Sequence, residues 1–252
     1  MKKVKPSVWS PAEFPFTERP FWIVLTGAGV SAESGLKTFR DADGLWEGHD
    51  VHEVASPEGW RRNPDRVLEF YNQRRLQLGE VKPNSAHEAI AKLEEQFDVL
   101  VITQNVDDLH ERGGSKQVLH LHGELIQVKS VENDLLVYDI GYTSLEKGDL
   151  CELGAQLRPN IVWFGESVPL FEVATKFARI ADGILVVGTS LQVYPAAGLI
   201  HEVPDHAQKI LIDRQIPLGA QLEGFQCIEK AATEGMEDVL QLLDGIHLPR
   251  GK

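Results

Sequence analysis

The sequence predicts an α/β protein: a Rossmann-like, doubly wound parallel sheet carrying a small inserted domain. Three observations carry that expectation. Five short apolar runs recur along the chain, each closing in small or polar residues. Stretches with helical spacing fill most of the intervals between them. One interval, about 125–157, breaks the alternation.

The first run, Trp22-Ile23-Val24-Leu25, closes in Thr26-Gly27-Ala28-Gly29. Apolar runs of this length read as strands buried on both faces, as in a parallel sheet. Residues 64–78 and 85–96 then keep helical spacing. The second run, Val99-Leu100-Val101-Ile102, closes in Thr103-Gln104-Asn105. In the interval 125–157, Val131, Leu135, Leu136, Val137 and Tyr138 suggest a short antiparallel piece punctuated by Gly141, Gly148 and Gly154. Helical spacing returns at 171–181. The third run, Ile184-Leu185-Val186-Val187, closes in Gly188-Thr189-Ser190, and the fourth, Ile210-Leu211-Ile212, in Asp213-Arg214. A fifth and weaker run, Cys227-Ile228, precedes Glu229-Lys230-Ala231-Ala232 and a helical stretch at 235–244. Ligands of such sheets bind beyond the carboxyl ends of the strands, which is where the Gly, Thr, Gln, Asn, Ser and Asp residues fall.

The 252 residues suit one large domain, expected to span 1–252, with 125–157 as its small inserted subdomain. A net charge of −13 opposes nucleic acid and suits basic partners such as Lys-rich protein segments. No apolar stretch approaches the roughly 20 residues that span a bilayer, and no apolar segment follows the basic start, so neither membrane nor secretion is expected. Two cysteines, Cys151 and Cys227, are too few for a disulfide framework. The expectation is a cytoplasmic monomer. The first 20 residues carry no readable pattern.

Some residues invite two readings. In Gly27-Ala28-Gly29-Val30-Ser31, glycines let backbone amides approach a pyrophosphate at the start of a helix; a tight structural turn fits them equally. His120 and His122 alternate on a strand and would share a face, as metal ligands or as structural histidines. Tyr71 and Arg74, three apart on a helix, share a face on which a guanidinium and a phenol could hold a carboxylate; a solvated Arg-rich face fits the same pattern.

A longer string is more specific. Gly27-Ala28-Gly29-Val30-Ser31-Ala32-Glu33-Ser34-Gly35-Leu36-Lys37-Thr38-Phe39-Arg40 resembles the opening motif of the sirtuins, the NAD-dependent protein deacylases. Three further segments match in order: Thr103 to His110, Leu119 to Leu125, and Gly188-Thr189-Ser190 with Val193 to Ala197. The likeness runs from about residue 21 to 245 and is nearest to the bacterial branch related to mitochondrial desuccinylases.

The resemblance implies acyl transfer from a protein lysine to the nicotinamide ribose of NAD, releasing nicotinamide, free lysine and O-acyl-ADP-ribose. His122 matches the general base that takes a proton from a ribose hydroxyl. Gly27, Ala28, Gly29 and Ser31 match the cofactor loop, and Phe39 and Arg40 its flexible part. Gln104, Asn105 and Asp107 match the ribose and nicotinamide contacts, where carboxamides pair with a carboxamide; a polar turn with an Asx cap would use the same residues. Gly188, Thr189 and Ser190 match the phosphate and ribose contacts. Asp213, where the family more often has Asn, and Ala232 complete the expected cofactor set. Tyr71 and Arg74 match the pair found in sirtuins that prefer succinyl- and malonyl-lysine. Val162, Phe164 and Gly165 lie in a strand that pairs with the substrate backbone.

One departure stands out. Family members mostly bind a structural zinc through four cysteines. Here the corresponding positions fall near Ser130, Asn133, Gly148 and Cys151, so no structural zinc and no other metal is expected. Leu135, Leu136, Val137, Tyr138 and Leu153 are expected to hold the small domain by apolar packing. The competing readings are a protein mono-ADP-ribosyltransferase, a non-catalytic NAD or ADP-ribose sensor, and an NAD glycohydrolase.

Overall fold

The computed structural model of the chain describes residues 1–4, 9–37, 45–46, 49–217 and 221–244. Its strands are β1 (Lys2–Lys3), β2 (Phe21–Thr26), β3 (Leu45–Trp46), β4 (His49–Asp50), β5 (Asp98–Thr103), β6 (Val118–His120), β7 (Gly123–Ser130), β8 (Val137–Asp139), β9 (Leu157–Ile161), β10 (Gly183–Val187), β11 (Gln208–Asp213) and β12 (Phe225–Glu229). Its α-helices are α1 (Val51–Val54), α2 (Pro57–Arg62), α3 (Pro64–Glu80), α4 (Ser85–Lys92), α5 (Leu109–Arg112), α6 (Phe171–Ala178) and α7 (Ala232–Leu243).

Six strands form a parallel sheet in the order β12-β11-β10-β2-β5-β6. All five apolar runs lie in it. Their lack of polar alternation has a direct cause in β2: Phe21, Ile23 and Leu25 pack with Phe177 and Ala178 of α6, while Trp22 and Val24 pack with Ile90 of α4 and with Met236 and Val239 of α7. Helices cover both faces, so every residue of the strand is buried. The sixth strand, β6, is a three-residue edge too short to register as an apolar run.

The helical expectations hold with shifted ends. Asn63 caps α3 by accepting from the Arg66 amide, Pro64 occupies its first turn, and the helix runs to Glu80. The stretch 85–96 divides into α4 and a 3₁₀ turn, Leu93–Glu95. The last helix starts at Ala232, earlier than expected.

A second sheet, ordered β1-β8-β7-β9, is antiparallel. It extends beyond the expected insertion at both ends and recruits the chain's own start as an edge strand. Farther along that start, Trp9, Phe14 and Phe16 pack against the cluster containing Phe21 and Phe177. The apolar centre of this second sheet differs from expectation. Leu136 and Tyr138 are buried, but Leu135 is 70% exposed and Leu153 62% exposed. The core is instead Leu68, Val128, Leu136, Tyr138, Leu145, Cys151, Ala155 and Leu157, so a residue of α3 closes it. Cys151 Sγ donates to Ser130 Oγ at 3.4 Å inside this cluster.

Candidate active site

The parallel sheet reverses its winding between β2 and β10, and the loops leaving these neighbours meet there. The Gly27 amide donates to Val187 O at 3.1 Å and the Gly29 amide to Gly188 O at 2.8 Å. The approach admits no side chain. A Cβ on Gly29 would lie 2.6 Å from Gly188 Cα, and one on Gly188, whose φ is +63°, would lie 2.4 Å from the Val30 nitrogen. The segment after Gly27 forms two single 3₁₀ turns, Ala28–Val30 and Ala32–Ser34, where a helix was expected. The Val30 and Ser31 amides donate back to Gly27 O and Ala28 O, so what this loop presents is a wall free of side chains rather than the dipole of a long helix.

The turn after β5 carries the densest polar cluster. Ser31 Oγ donates to Asp107 Oδ2 at 3.0 Å and accepts from Asn105 Nδ2 at 3.2 Å, and His87 Nε2 stands 3.4 Å from the same hydroxyl. Asp107 also accepts from the Leu109 amide at 3.2 Å. Burial pushes the Asp107 carboxyl up to about 6, against the pull of these donors. Gln104 is fixed by donation from its Nε2 to Thr189 Oγ1 at 3.0 Å.

His122 follows β6. Its Nδ1 lies 2.9 Å from Gln104 O. A carbonyl only accepts, so Nδ1 carries the proton and Nε2 keeps the lone pair of the neutral ring. Burial lowers the His122 pKa from its ordinary value, while the Gln104 carbonyl works the other way. The neutral, proton-accepting form is therefore favoured at neutral pH.

His120 takes other partners. Its Nδ1 donates to Asn105 O at 3.0 Å and its Nε2 to Glu111 Oε1 at 2.8 Å. Burial lowers its pKa, but the Glu111 carboxylate outweighs burial and brings it to about 9. With Glu124, these residues place three ligand-type atoms within 4.8 Å of one another; a cation there would have to displace the proton that His120 gives to Glu111.

All of these loops open on one cavity of about 490 Å³. It is lined by Gly27, Ala28, Gly29, Ser31, Gln104, Asn105, Asp107, His122, Gly188, Thr189, Ser190, Asp213 and Ala232, and by Tyr71, Arg74, Val162, Phe164 and Gly165. The structure thus gathers these expected site residues from eight separate stretches of sequence. Phe39 and Arg40 lie outside the described residues. One placement differs from expectation. Residues 162–165 lie beyond β9, which ends at Ile161, and the Val162 and Phe164 amides donate within the protein, to His122 O at 2.9 Å and Ala55 O at 3.0 Å. Tyr71 is a fully buried core side chain, not part of a solvated face, and accepts from Trp163 Nε1 at 3.0 Å. Arg74 lies with its guanidinium over the Phe70 ring, 5.0 Å from the centroid.

Other cavity residues had no signal of their own. Val106, Ile161 and Trp163 add apolar wall, and Arg214 and Lys230 add positive charge where β11 and β12 end. Trp163 stands inside a segment already noted, and Arg214 directly follows Asp213. What hid them is that each reads as ordinary strand or turn composition.

A doubly wound sheet with a glycine-walled cavity at its switch point defines a nucleotide-binding type of α/β protein. The Sir2 family model matches residues 27–195. The chain is 53% identical over 221 residues to an NAD-dependent protein deacylase of Helicobacter pylori, covering 88% of this chain and 96% of that one. It is 51% identical over 226 residues to an NAD-dependent protein deacylase of Bacteroides thetaiotaomicron, covering 88% and 97%. Among solved structures, a Sir2 homolog–NAD complex matches with a TM-score of 0.80 at 36% identity, covering 90% of each chain. A mutant Sir2 homologue bound to ADP-ribose matches at 0.79 and 36%, covering 92% and 96%. The chain belongs to the Sir2 family.

Proposed function

We propose that the protein is an NAD-dependent protein deacylase, releasing nicotinamide and O-acyl-ADP-ribose. The observation that carries this reading is His122, held at Nδ1 by Gln104 O with Nε2 left basic, in the same cavity as the Ser31–Asn105–Asp107 cluster. The cavity fits an extended anionic nucleotide: backbone replaces side chains where Gly29 meets Gly188, and Thr189 and Ser190 line the cavity beside that wall. Two cations, Arg214 and Lys230, line it, the Lys230 ammonium being paired with Asp238 at 2.6 Å.

NAD, when bound, supplies a ribose carbon activated by its nicotinamide leaving group. The protein's residues do the rest. Gly27, Ala28, Gly29, Gly188, Thr189 and Ser190 would hold phosphate and ribose, with Asp213 and Ala232 at the adenosine end. Asn105 and Asp107 would orient a carboxamide, and burial keeps competing water from them. Nε2 of His122 would accept the proton of a ribose hydroxyl. Val162, Phe164 and Gly165 would flank the acylated peptide; because two of their amides are engaged, a substrate main chain would be met by other atoms of the segment. Tyr71 and Arg74 line the same cavity and suit acyl groups ending in a carboxylate, so succinyl- and malonyl-lysine join acetyl-lysine as proposed substrates.

Among the described residues no helix is long and apolar enough to cross a membrane, and we place the enzyme in the cytoplasm. Incubation with NAD and matched acetyl- and succinyl-lysine peptides, followed by mass spectrometry, tests the reading. Both peptides should lose their acyl groups, His122→Ala should lower the rate by about 10²–10⁴-fold, and Tyr71→Phe/Arg74→Met should lose the succinyl peptide selectively. Nicotinamide release with both peptides intact would replace deacylation with NAD hydrolysis or ADP-ribosyl transfer.

A further inference from the structure

We infer that Trp163 is a positioning residue for acyl-group selectivity: it fixes the direction in which Tyr71 presents its hydroxyl proton. This rests on the reading of Tyr71 and Arg74 as the pocket for an acyl carboxylate, and goes beyond it by naming what sets that pocket.

The Trp163 indole can only donate, and its Nε1 lies 3.0 Å from the Tyr71 hydroxyl oxygen. The phenol therefore accepts on that side. Conjugation keeps a phenol hydrogen near the plane of its ring, with two orientations available. The indole N–H occupies one of them, so the hydroxyl proton turns to the other. In water this choice would carry little weight. Tyr71 is fully buried, and at such a site an O–H aimed the wrong way loses its partner and leaves a charged acceptor unmet.

Trp163 is itself held from several sides. The Arg158 guanidinium lies over its ring, 3.4 Å from the centroid. Arg158 Nη1 and Nη2 grip Glu166 Oε1 and Oε2 at 2.7 and 3.0 Å, and Nη2 also donates to Ile161 O at 2.9 Å. Glu166 Oε2 in turn accepts from the Trp163 backbone amide at 2.8 Å. One ion pair thus fixes both the ring and the backbone of the tryptophan. Trp60 packs alongside, its ring centroid 5.8 Å away. A chain of contacts runs from Glu166 through Arg158 and Trp163 to the Tyr71 oxygen.

The test measures kcat and KM on matched succinyl- and acetyl-lysine peptides at saturating NAD. Its variants are Trp163→Phe, Tyr71→Phe, their double variant, and Arg158→Lys. Trp163→Phe keeps an aromatic ring and removes the N–H. It should lower the succinyl-to-acetyl ratio of kcat/KM about tenfold, the scale of one hydrogen bond to a charged group, and act mainly through KM for the succinyl peptide. In the Tyr71→Phe background the same change should add nothing, because no hydroxyl remains to direct. Arg158→Lys, which keeps the charge and loses the planar fork, should shift the ratio the same way by less; it carries the test if Trp163→Phe does not fold. An unchanged ratio in Trp163→Phe, or an equal fall in the Tyr71→Phe background, overturns the inference and leaves Trp163 a packing residue. A wild type without any preference for the succinyl peptide overturns the carboxylate-pocket reading, and the inference with it; that arm is read on the wild type alone.

Discussion

Gly29 and Gly188 touch backbone to backbone across the switch point of the parallel sheet: a Cβ on Gly29 would sit 2.6 Å from Gly188 Cα, and the Gly29 amide donates to Gly188 O at 2.8 Å. Side chains are excluded here by the paths of two loops that must both leave adjacent strand ends.

Gly188→Ala should therefore fail twice, through its positive φ and through contact with the Val30 nitrogen at 2.4 Å. The expected cost is about 1–3 kcal/mol of strain, with NAD affinity, measured by calorimetry, lowered at least tenfold. Gly148→Ala is the control. Its φ is +98° but nothing lies within 4 Å of the added carbon, so only stability should fall. Equal NAD affinity in the two variants would show that the close approach does not shape the nucleotide site.

Asp107 should give stability an acidic-to-neutral slope. Its carboxyl titrates at about 6 in the folded chain, against an ordinary 3.8, because burial disfavours the charge. Between those values the folded protein holds the proton more tightly than the unfolded chain. The contribution is thus present below about 4 and lost as pH rises through 6, amounting to about 3 kcal/mol. The gap between the melting temperatures of Asp107→Asn and wild type should widen in favour of the variant from pH 4 to pH 7. A constant gap would refute the assignment.

The Glu111–His120 pair should act with the same sign in a higher window. The folded pKa of His120, about 9, lies above its ordinary 6.5, so the stabilisation is complete below 6.5 and is lost as pH rises through 9. On the acid side, burial raises the Glu111 pKa, but donation and charge from His120 outweigh it and leave a net fall, so the pair weakens only as Glu111 protonates. Glu111→Gln should lower the melting temperature at pH 6 and flatten the decline between pH 6.5 and 9. Thermal melts across that range would expose an unchanged slope if the pair were idle.

The second sheet should stand without a structural metal. Its core is apolar, and the Leu157 and Val128 side chains are completely buried there. Prolonged incubation with a chelator should leave the melting temperature in place. Leu157→Ala should cost about 2–5 kcal/mol. A fall in melting temperature on chelation alone would reveal a stabilising ion.

Much of this molecule is legible in one dimension. Strands covered by helices on both faces are apolar through their middles, so β2, β5, β10 and β11 announce themselves, and the polar residues that end them mark the cavity rim. The motif around His122 and the glycine loop carry the family, because close backbone approach and a buried base tolerate few substitutions. Short elements such as β6 and α5 left no comparable signal, since three or four residues complete no period.

What the sequence by itself determined is the parallel sheet, the set of residues at its carboxyl edge, and the missing cysteines of the second sheet. Tertiary structure alone decided which partners those residues take. Tyr71 meets Trp163 across 92 positions of chain, Ser31 meets Asp107 across 76, and the first residues of the chain close the edge of a sheet built mostly from 123–161. The physical reason is that periodicity records whether a side chain faces water or core, whereas a hydrogen bond between distant segments depends on how those segments pack, and nothing in local spacing encodes that.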